Sequence, residues 1–443
     1  MPEFTHHAAG TLSHEWTSLP HWGDGPRVDW TGIDHLVVLA AHPDDETLGC
    51  GGAIAHAAEQ AIPVTLVLAT AGEASHPDSP TLRPAELAAI RLAEDDRALN
   101  LLAPGSRREF LAQPDGHVDD DAVLEHLVDL IGDGATTLLL SPWHADGHRD
   151  HEACGRAARV AAHRTGARTL QYPIWWFHWG EPRAEAARVA GAEWIELSDR
   201  TLARKSLAIA QHLTQVQPLS PRPGDEVMLS PHFLDNFNQP REIYFAPRPS
   251  DPTLDDLHGR DADPWRVETS TYERRKRNLT LAALPTDRYG SGLEIGCSRG
   301  ALSADLAAVC DRLVCVDASR NAVDLATERL RAHPEVRVMH AQLPEEWPPG
   351  TFDLVVVSEV GYFLSPRRLE DLWARVGESL TSAGTVLLCH WLGEVDGWVL
   401  DGEQVHQSAR THRCLPPVQG TYREEDYEIL VLAPDDAWPR ARR

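Results

Sequence analysis

Along this chain, short continuous apolar runs alternate with stretches of helical periodicity, and the alternation starts twice. The first block opens on His35-Leu-Val-Val-Leu-Ala40, the pattern of a strand buried on both faces. Helical Ala53–Ala61, strand Val64–Ala69, a long helix Arg83–Leu102, strands Glu109–Ala112 and Thr137–Ser141, helix Glu152–Arg164 and strand Thr169–Ile174 follow. Helical Arg200–His212 then leads into a proline-rich loop, Pro218–Gly224. From Pro247 to Pro264 the chain is rich in proline and aspartate and poor in apolar residues, which reads as a linker. The alternation then restarts with helix Tyr272–Ala283, strand Leu293–Gly296, helix Ala301–Val309, strand Leu313–Val316 and helix Asn321–Arg331. Strands Val336–His340 and Leu354–Val357, helix Arg367–Leu380, and strands Thr385–Cys389 and Tyr427–Leu432 complete it. Such alternation predicts an α/β protein of two doubly wound Rossmann-like domains, each with a mostly parallel central sheet. The expected division is an extension over 1–32, a first domain over 33–246, a linker over 247–264 and a second domain over 265–436.

Composition narrows the function without changing that picture. A chain of 443 residues with 42% hydrophobic and 24% charged residues suits two globular domains. Its net charge of −26 disfavours nucleic acid and anionic membrane surfaces, both of which need clustered cations. Only two lysines occur, Lys205 and Lys276; all other fixed positive charge is arginine. No apolar run approaches the roughly 18 residues of a membrane span, and Met1–Gly10 lacks a secretory pattern. Seven cysteines without framework spacing read as reduced thiols, so a cytoplasmic location is expected.

The candidate chemistry sits at strand ends. The first strand runs into His42-Pro-Asp-Asp-Glu46, where His42 and Asp45, three apart across a proline-fixed turn, could ligate one metal and leave Asp44 for another role. The strand Thr137–Ser141 runs into Pro142-Trp-His-Ala-Asp-Gly-His-Arg-Asp-His151. Two histidines with one carboxylate leave positions open for water and a carbonyl oxygen, and a nearby carboxylate and histidine complete the requirements of amide hydrolysis. A helix-capping turn and a solvated helix start are the alternatives for each segment taken singly.

Together these two segments resemble the PIG-L/LmbE-like deacetylases over residues 33–245. The resemblance implies a zinc-dependent deacetylase acting on N-acetylglucosamine-type substrates, with His42, Asp45 and His151 holding the metal and Asp44 as general base. It further implies that His148 acts on the oxyanion or leaving group with Asp150 orienting it. Arg91 and Asp115 are candidates to clamp sugar hydroxyls, against a bland reading as an exposed helix arginine and a turn aspartate. The donor set also suits iron(II). Cys50 reads as a packed residue, and Trp175-Trp-Phe-His-Trp179 either lines a sugar or aglycone site or forms core.

In the second block Leu293-Glu-Ile-Gly-Cys-Ser-Arg-Gly300 lies at a strand-to-helix turn, and the next strand ends in Asp317, where a carboxylate can accept ribose hydroxyls. A dinucleotide site is the rival reading. With Asp263-Pro-Trp, Tyr272-Glu273, Leu343-Pro-Glu-Glu-Trp-Pro348 and the run Phe352–Phe363, this half resembles class I S-adenosylmethionine-dependent methyltransferases of the NodS-like kind over residues 263–395. The resemblance implies that Glu294, Gly296, Cys297 and Gly300 line the methionine-ribose end, Asp317 with Ala318 the ribose, and Ala341 with Gln342 the adenine. Ser358, Glu359 and Tyr362 would lie near the methyl group and acceptor, Gly361 offers no side chain there, and Trp265 and Tyr272 form part of a lid or anchor a helix.

Joined in one chain, the halves suggest deacetylation of a small-molecule amino sugar or glycoside followed by N-methylation of the exposed amine. Two other readings stand beside it: independent activities on different substrates or atoms, and a deacetylase carrying an S-adenosylmethionine-binding regulatory domain.

Overall fold

The computed structural model describes residues 10–247, 251–435 and 438. The chain divides into two compact units, Met1–Ser250 and Asp251–Arg443.

In the first unit five strands form one wholly parallel sheet: β1 (His35–Ala40), β2 (Val64–Thr70), β3 (Arg107–Gln113), β4 (Thr137–Pro142) and β5 (Arg168–Tyr172). Their order is β3-β2-β1-β4-β5, so chain direction across the sheet reverses between β1 and β4. Loops leaving two such strands part to opposite sides and open a crevice at their carboxyl ends. A separate antiparallel pair, β6 (Glu193–Glu196) and β7 (Arg241–Tyr244), flanks this sheet unit.

The helix after β1 spans Asp45–Glu59, starting eight residues before the expected Ala53. Its glycine-rich first half hides the helical pattern because the helix is pressed against the sheet there: a Cβ at Gly49 would lie 2.1 Å from the Tyr172 ring. Of the expected extension over 1–32, residues 1–9 lie outside the described residues. The rest is fastened to the first unit: the buried Trp16 indole donates to the Phe177 carbonyl at 3.0 Å and Val28 N–H to the Trp194 carbonyl at 3.0 Å.

The second unit carries seven strands: β8 (Gly292–Ile295), β9 (Leu313–Asp317), β10 (Val336–His340), β11 (Phe352–Ser358), β12 (Leu380–Trp391), β13 (Val418–Arg423) and β14 (Tyr427–Leu432). The order is β10-β9-β8-β11-β12-β14-β13, parallel except for β14, which runs antiparallel to both neighbours. The direction reverses between β8 and β11. Apolar side chains pack on both faces of this sheet, Leu293, Val355 and Trp373 in one layer and Leu306, Leu354 and Ile429 in the other.

Two expectations change here. The presumed linker over 247–264 contains a helix, Thr253–Arg260, packed on the helix Arg320–Arg329 within the second unit. It is tied there by hydrogen bonds of Asp255 with Ser319 and Asn321, which an apolar pattern does not reveal; residues 248–250 lie outside the described residues. Neither β13 nor the helix Gly402–Thr411 was expected: β13 is a half-exposed edge strand with no continuous apolar run. Among the described residues no helix is long and apolar enough to cross a membrane.

Candidate active sites

The first site lies where β1 and β4 end. His42 and Asp45 come from the turn after β1, His148 and His151 from the start of the helix Arg149–Thr165 after β4. His42 Nδ1, the Asp45 carboxylate and His151 Nε2 form a triangle: 3.4 Å from His42 to Asp45 Oδ2, 3.2 Å from His151 to Asp45 Oδ1 and 3.3 Å between the imidazoles. Donor atoms each about 2.0–2.2 Å from a tetrahedral ion lie about 3.3 Å apart, so the triangle fits one. The outer nitrogens strengthen the fit. His42 Nε2 faces Asp115 at 3.1 Å and Asp150 at 3.2 Å, and His151 Nδ1 faces Asp146 at 2.7 Å. Carboxylates there make those nitrogens the donors and turn both imidazole lone pairs inward. Burial opposes charge on His151, yet Asp45 and Asp146 push its imidazole up to about 9, so a cation bound there would displace the Nε2 proton and free that lone pair. Burial likewise disfavours ionised Asp45, but His151 and His42 hold its carboxyl well below the usual range.

Asp44 stands beside this triangle on a backbone with φ +132°, a conformation that a side chain makes costly. Burial pushes its carboxyl up to about 7 against the pull of Arg91. His148 joins the cluster with ring centroids 4.9 Å from His42 and 4.6 Å from His151. Burial, then the charges of His151 and His42, lowers it to about 3, so it is neutral at physiological pH.

Three expectations need correction. Asp150 was placed behind His148, but its carboxylate contacts His42 and accepts Gly116 N–H at 2.7 Å and Val118 N–H at 3.2 Å. Arg91 is not turned to a sugar. It is 3% exposed and donates to the Gly72 carbonyl at 2.7 Å, the Pro43 carbonyl at 2.8 Å and Asp44 Oδ2 at 3.2 Å, because the proline turn leaves carbonyls that a guanidinium fork can satisfy. Asp115 meets His42 and Ala74 N–H rather than open space. Cys50 is a buried packed thiol, as expected.

Asp146 is a site residue to which the sequence pattern assigns no role. Besides His151, its buried carboxylate accepts the N–H groups of Ile174, Trp175 and Trp176 at 2.9–3.0 Å. It therefore ties a metal-facing imidazole to the aromatic segment, in which Trp176 and Phe177 are core while Trp179 is 40% exposed. An acid five residues before His151 was the available signal. Asp146→Ala is expected to weaken metal affinity about 10–100-fold, read by chelator competition; unchanged affinity would show that Asp146 serves the aromatic segment alone.

The second site lies where β8, β9 and β11 end. Gly296 has φ +76°, and a Cβ there would lie 2.7 Å from Val360, so only glycine carries the turn. Glu294 is buried, its carboxyl pushed up to about 7 by burial while accepting Ser303 Oγ–H at 2.5 Å. Asp317 closes β9 and accepts Ser298 N–H and Ser319 N–H, each at 2.8 Å; burial raises its carboxyl. Cys297 is a buried thiol that burial pushes well up. Ala318 is exposed and its carbonyl faces His340 Nε2 at 3.0 Å. Ala341 is buried, Gln342 N–H donates to Glu346 at 2.8 Å, and Ser358 is half-buried at the end of β11.

Glu359 and Tyr362 are turned to each other rather than outward. Glu359, with φ +56°, accepts Lys276 Nζ–H at 2.6 Å, Tyr362 O–H at 2.6 Å and Trp391 N–H at 3.0 Å. Both belong to a braced cluster at the end of β11, in which Lys276 is an unforeseen member. Its signal was rarity: in an arginine-rich chain both lysines are buried partners of a glutamate. Gly361 is needed for space, since a Cβ would come within 2.5 Å of Val405. Trp265 packs on His258 and Tyr272 on Tyr427.

Each of these two sheets carries its side-chain cluster at the reversal of strand order, and each unit matches a different family. The GlcNAc-PI de-N-acetylase (PIG-L) family matches residues 37–162 and the Nodulation protein S (NodS) family residues 253–388. Nodulation protein S of Bradyrhizobium diazoefficiens is 33% identical over 188 residues, 40% of this chain and 88% of that protein. The chain belongs to the NodS family in its second unit and carries a PIG-L domain in its first. A probable N-acetyl-alpha-D-glucosaminyl L-malate deacetylase 2 of Bacillus subtilis is 32% identical over 142 residues, 30% of this chain and 62% of that protein. The chain spans less than half the length of the Nodulation protein S of Rhizobium tropici and of Sinorhizobium fredii, 43% and 48%. Among solved structures, N-methyltransferase NodS from Bradyrhizobium japonicum WM9 in complex with S-adenosyl-L-homocysteine has 21% identity and a TM-score of 0.36, covering 42% of this chain and 100% of that one.

Proposed function

We propose that this chain removes the acetyl group from the nitrogen of an amino sugar or glycoside and then methylates the freed amine with S-adenosylmethionine. What supports the order is chemical: amide hydrolysis produces the primary amine that methyl transfer consumes, and both sites stand in one chain. His42, Asp45 and His151 would hold a divalent cation, zinc by their donor set, with iron(II) as the other candidate. Bound there, the cation acidifies water and polarises the amide carbonyl. Asp44 takes the proton of the attacking water, held by Arg91 beside the ligands but not among them. His148, kept neutral by burial, offers a hydrogen bond to the oxyanion; Asp44 returns the proton to the nitrogen as the amide C–N bond breaks, so that a neutral primary amine and acetic acid leave, the acid ionising to acetate in solvent. In the second unit the turn Glu294–Gly300, with Asp317, Ala318, Ala341, Gln342 and Ser358, would hold the cofactor. With the cofactor bound there, the amine lone pair would take the methyl group from the sulfonium sulfur, S-adenosylhomocysteine would leave and the nitrogen would give up a proton to solvent, which asks for alignment rather than a strong base.

Mass spectrometry of paired N-acetyl and free-amine substrates, with wild type and Asp44→Ala, tests the sequence of events. Wild type is expected to methylate both forms and Asp44→Ala only the free amine. Equal methylation of the N-acetyl form by the variant would separate the two activities; cofactor binding without transfer to any amine would leave the second unit a sensor.

A further inference from the structure

The carboxyl ends of β8 and β9 are crossed by residues 253–268, which the sequence presents as linker as far as Pro264. The helix Thr253–Arg260 is fastened to the loop after Asp317: Asp255 Oδ1 accepts Ser319 Oγ–H at 2.7 Å and Asn321 N–H at 3.0 Å, and the Asp255 carbonyl accepts Asn321 Nδ2–H at 3.1 Å. Farther on, Asp263 pairs with Arg299 at 3.3 Å, and Glu268 pairs with Arg329. The strap is thus held on both walls of the crevice, the glycine-rich turn and the loop after β9.

His258 lies three residues beyond Asp255, on the same helix face. It is 6% exposed, its Nε2 stands 3.5 Å from Ser298 Oγ, and its ring meets Trp265 edge-on at 5.1 Å. Ser298 N–H is one of the two groups holding the Asp317 carboxylate, so the imidazole stands beside that carboxylate at the crevice. Its Nδ1 is buried and has no hydrogen-bond partner among the described residues. Burial lowers its pKa against the pulls of Asp317 and Asp255, which leaves a neutral ring with one N–H and one lone pair. A buried imidazole nitrogen without a partner is costly unless a ligand satisfies it. A ribose whose hydroxyls donate to Asp317 still has oxygen lone pairs to accept from a neighbouring N–H.

We propose that His258 hydrogen-bonds a ribose hydroxyl of the nucleoside held at Asp317, so that the strap 253–268 forms the outer wall of that site. The proposal rests on the reading of the second unit as an S-adenosylmethionine site. Titration calorimetry on the full chain with S-adenosylhomocysteine and with 5′-methylthioadenosine, which keeps the ribose and lacks the amino-acid end, separates the two. His258→Ala is expected to weaken both ligands about tenfold, the worth of one hydrogen bond. His258→Gln, which keeps an N–H donor, is expected to recover part of the loss, and it carries the comparison if the alanine variant does not fold. Unchanged affinities in folded variants would overturn the proposal, as would a loss confined to S-adenosylhomocysteine, which places the histidine at the methionine end. If wild type binds neither ligand, the cofactor reading itself falls.

Discussion

Asp44→Ala is expected to lower acetate release about 10²–10⁴-fold, the usual contribution of a positioned general base, while elemental analysis still finds the cation bound. His42→Ala is expected to lose the cation and the activity together. The contrast follows from geometry. His42 supplies a corner of the donor triangle, with its Nδ1 3.4 Å from Asp45 and 3.3 Å from His151. Asp44 stands outside the triangle, its carboxylate facing Arg91 at 3.2 Å. Removing that carboxylate leaves all three donors and the carboxylates behind both histidines in place. Near-normal turnover of Asp44→Ala would refute its role as base; loss of the cation from that variant would make it a ligand.

The second large effect is on stability. Lys205→Ala is expected to destabilise the first unit by about 3–5 kcal/mol, because it strands the carboxylate of Glu242 in the interior. Lys205 is 1% exposed and donates to Glu242 Oε1 at 2.7 Å. The same carboxylate accepts Gly52 N–H at 2.6 Å, Ala53 N–H at 3.0 Å and Tyr244 O–H at 2.7 Å, so it pins the glycine-rich helix after β1 to β7. In a unit of this size the thermal transition should fall by roughly 6–20 °C. The double variant Lys205→Met, Glu242→Gln is expected to recover part of the loss, since no unpaired charge remains buried. A single variant melting within a degree or two of wild type would mean that the pair contributes little.

Much of this protein was legible in advance, for reasons that differ from residue to residue. The strand β14 was expected over Tyr427–Leu432 and is found there, because the short run, apolar apart from Glu428 and lying between polar turns, has little else to be. The glycine-rich start of the helix Asp45–Glu59 was missed since its residues answer to the Tyr172 ring rather than to helical periodicity. The helix Thr253–Arg260 was missed because polar groups of Asp255, Ser319 and Asn321 hold it.

Local pattern by itself determined the α/β class, the two runs of βα units and the short segments that crowd histidine, aspartate and glycine at strand ends, since alternation and turn chemistry are properties of neighbouring residues. Tertiary structure decided which nitrogen of each imidazole faces inward, that Arg91 braces a turn, that Asp150 serves His42, and that Asp146 joins a histidine to an aromatic segment. Those assignments depend on groups far apart in the chain meeting where strand order reverses, and spacing along a sequence carries no record of such meetings.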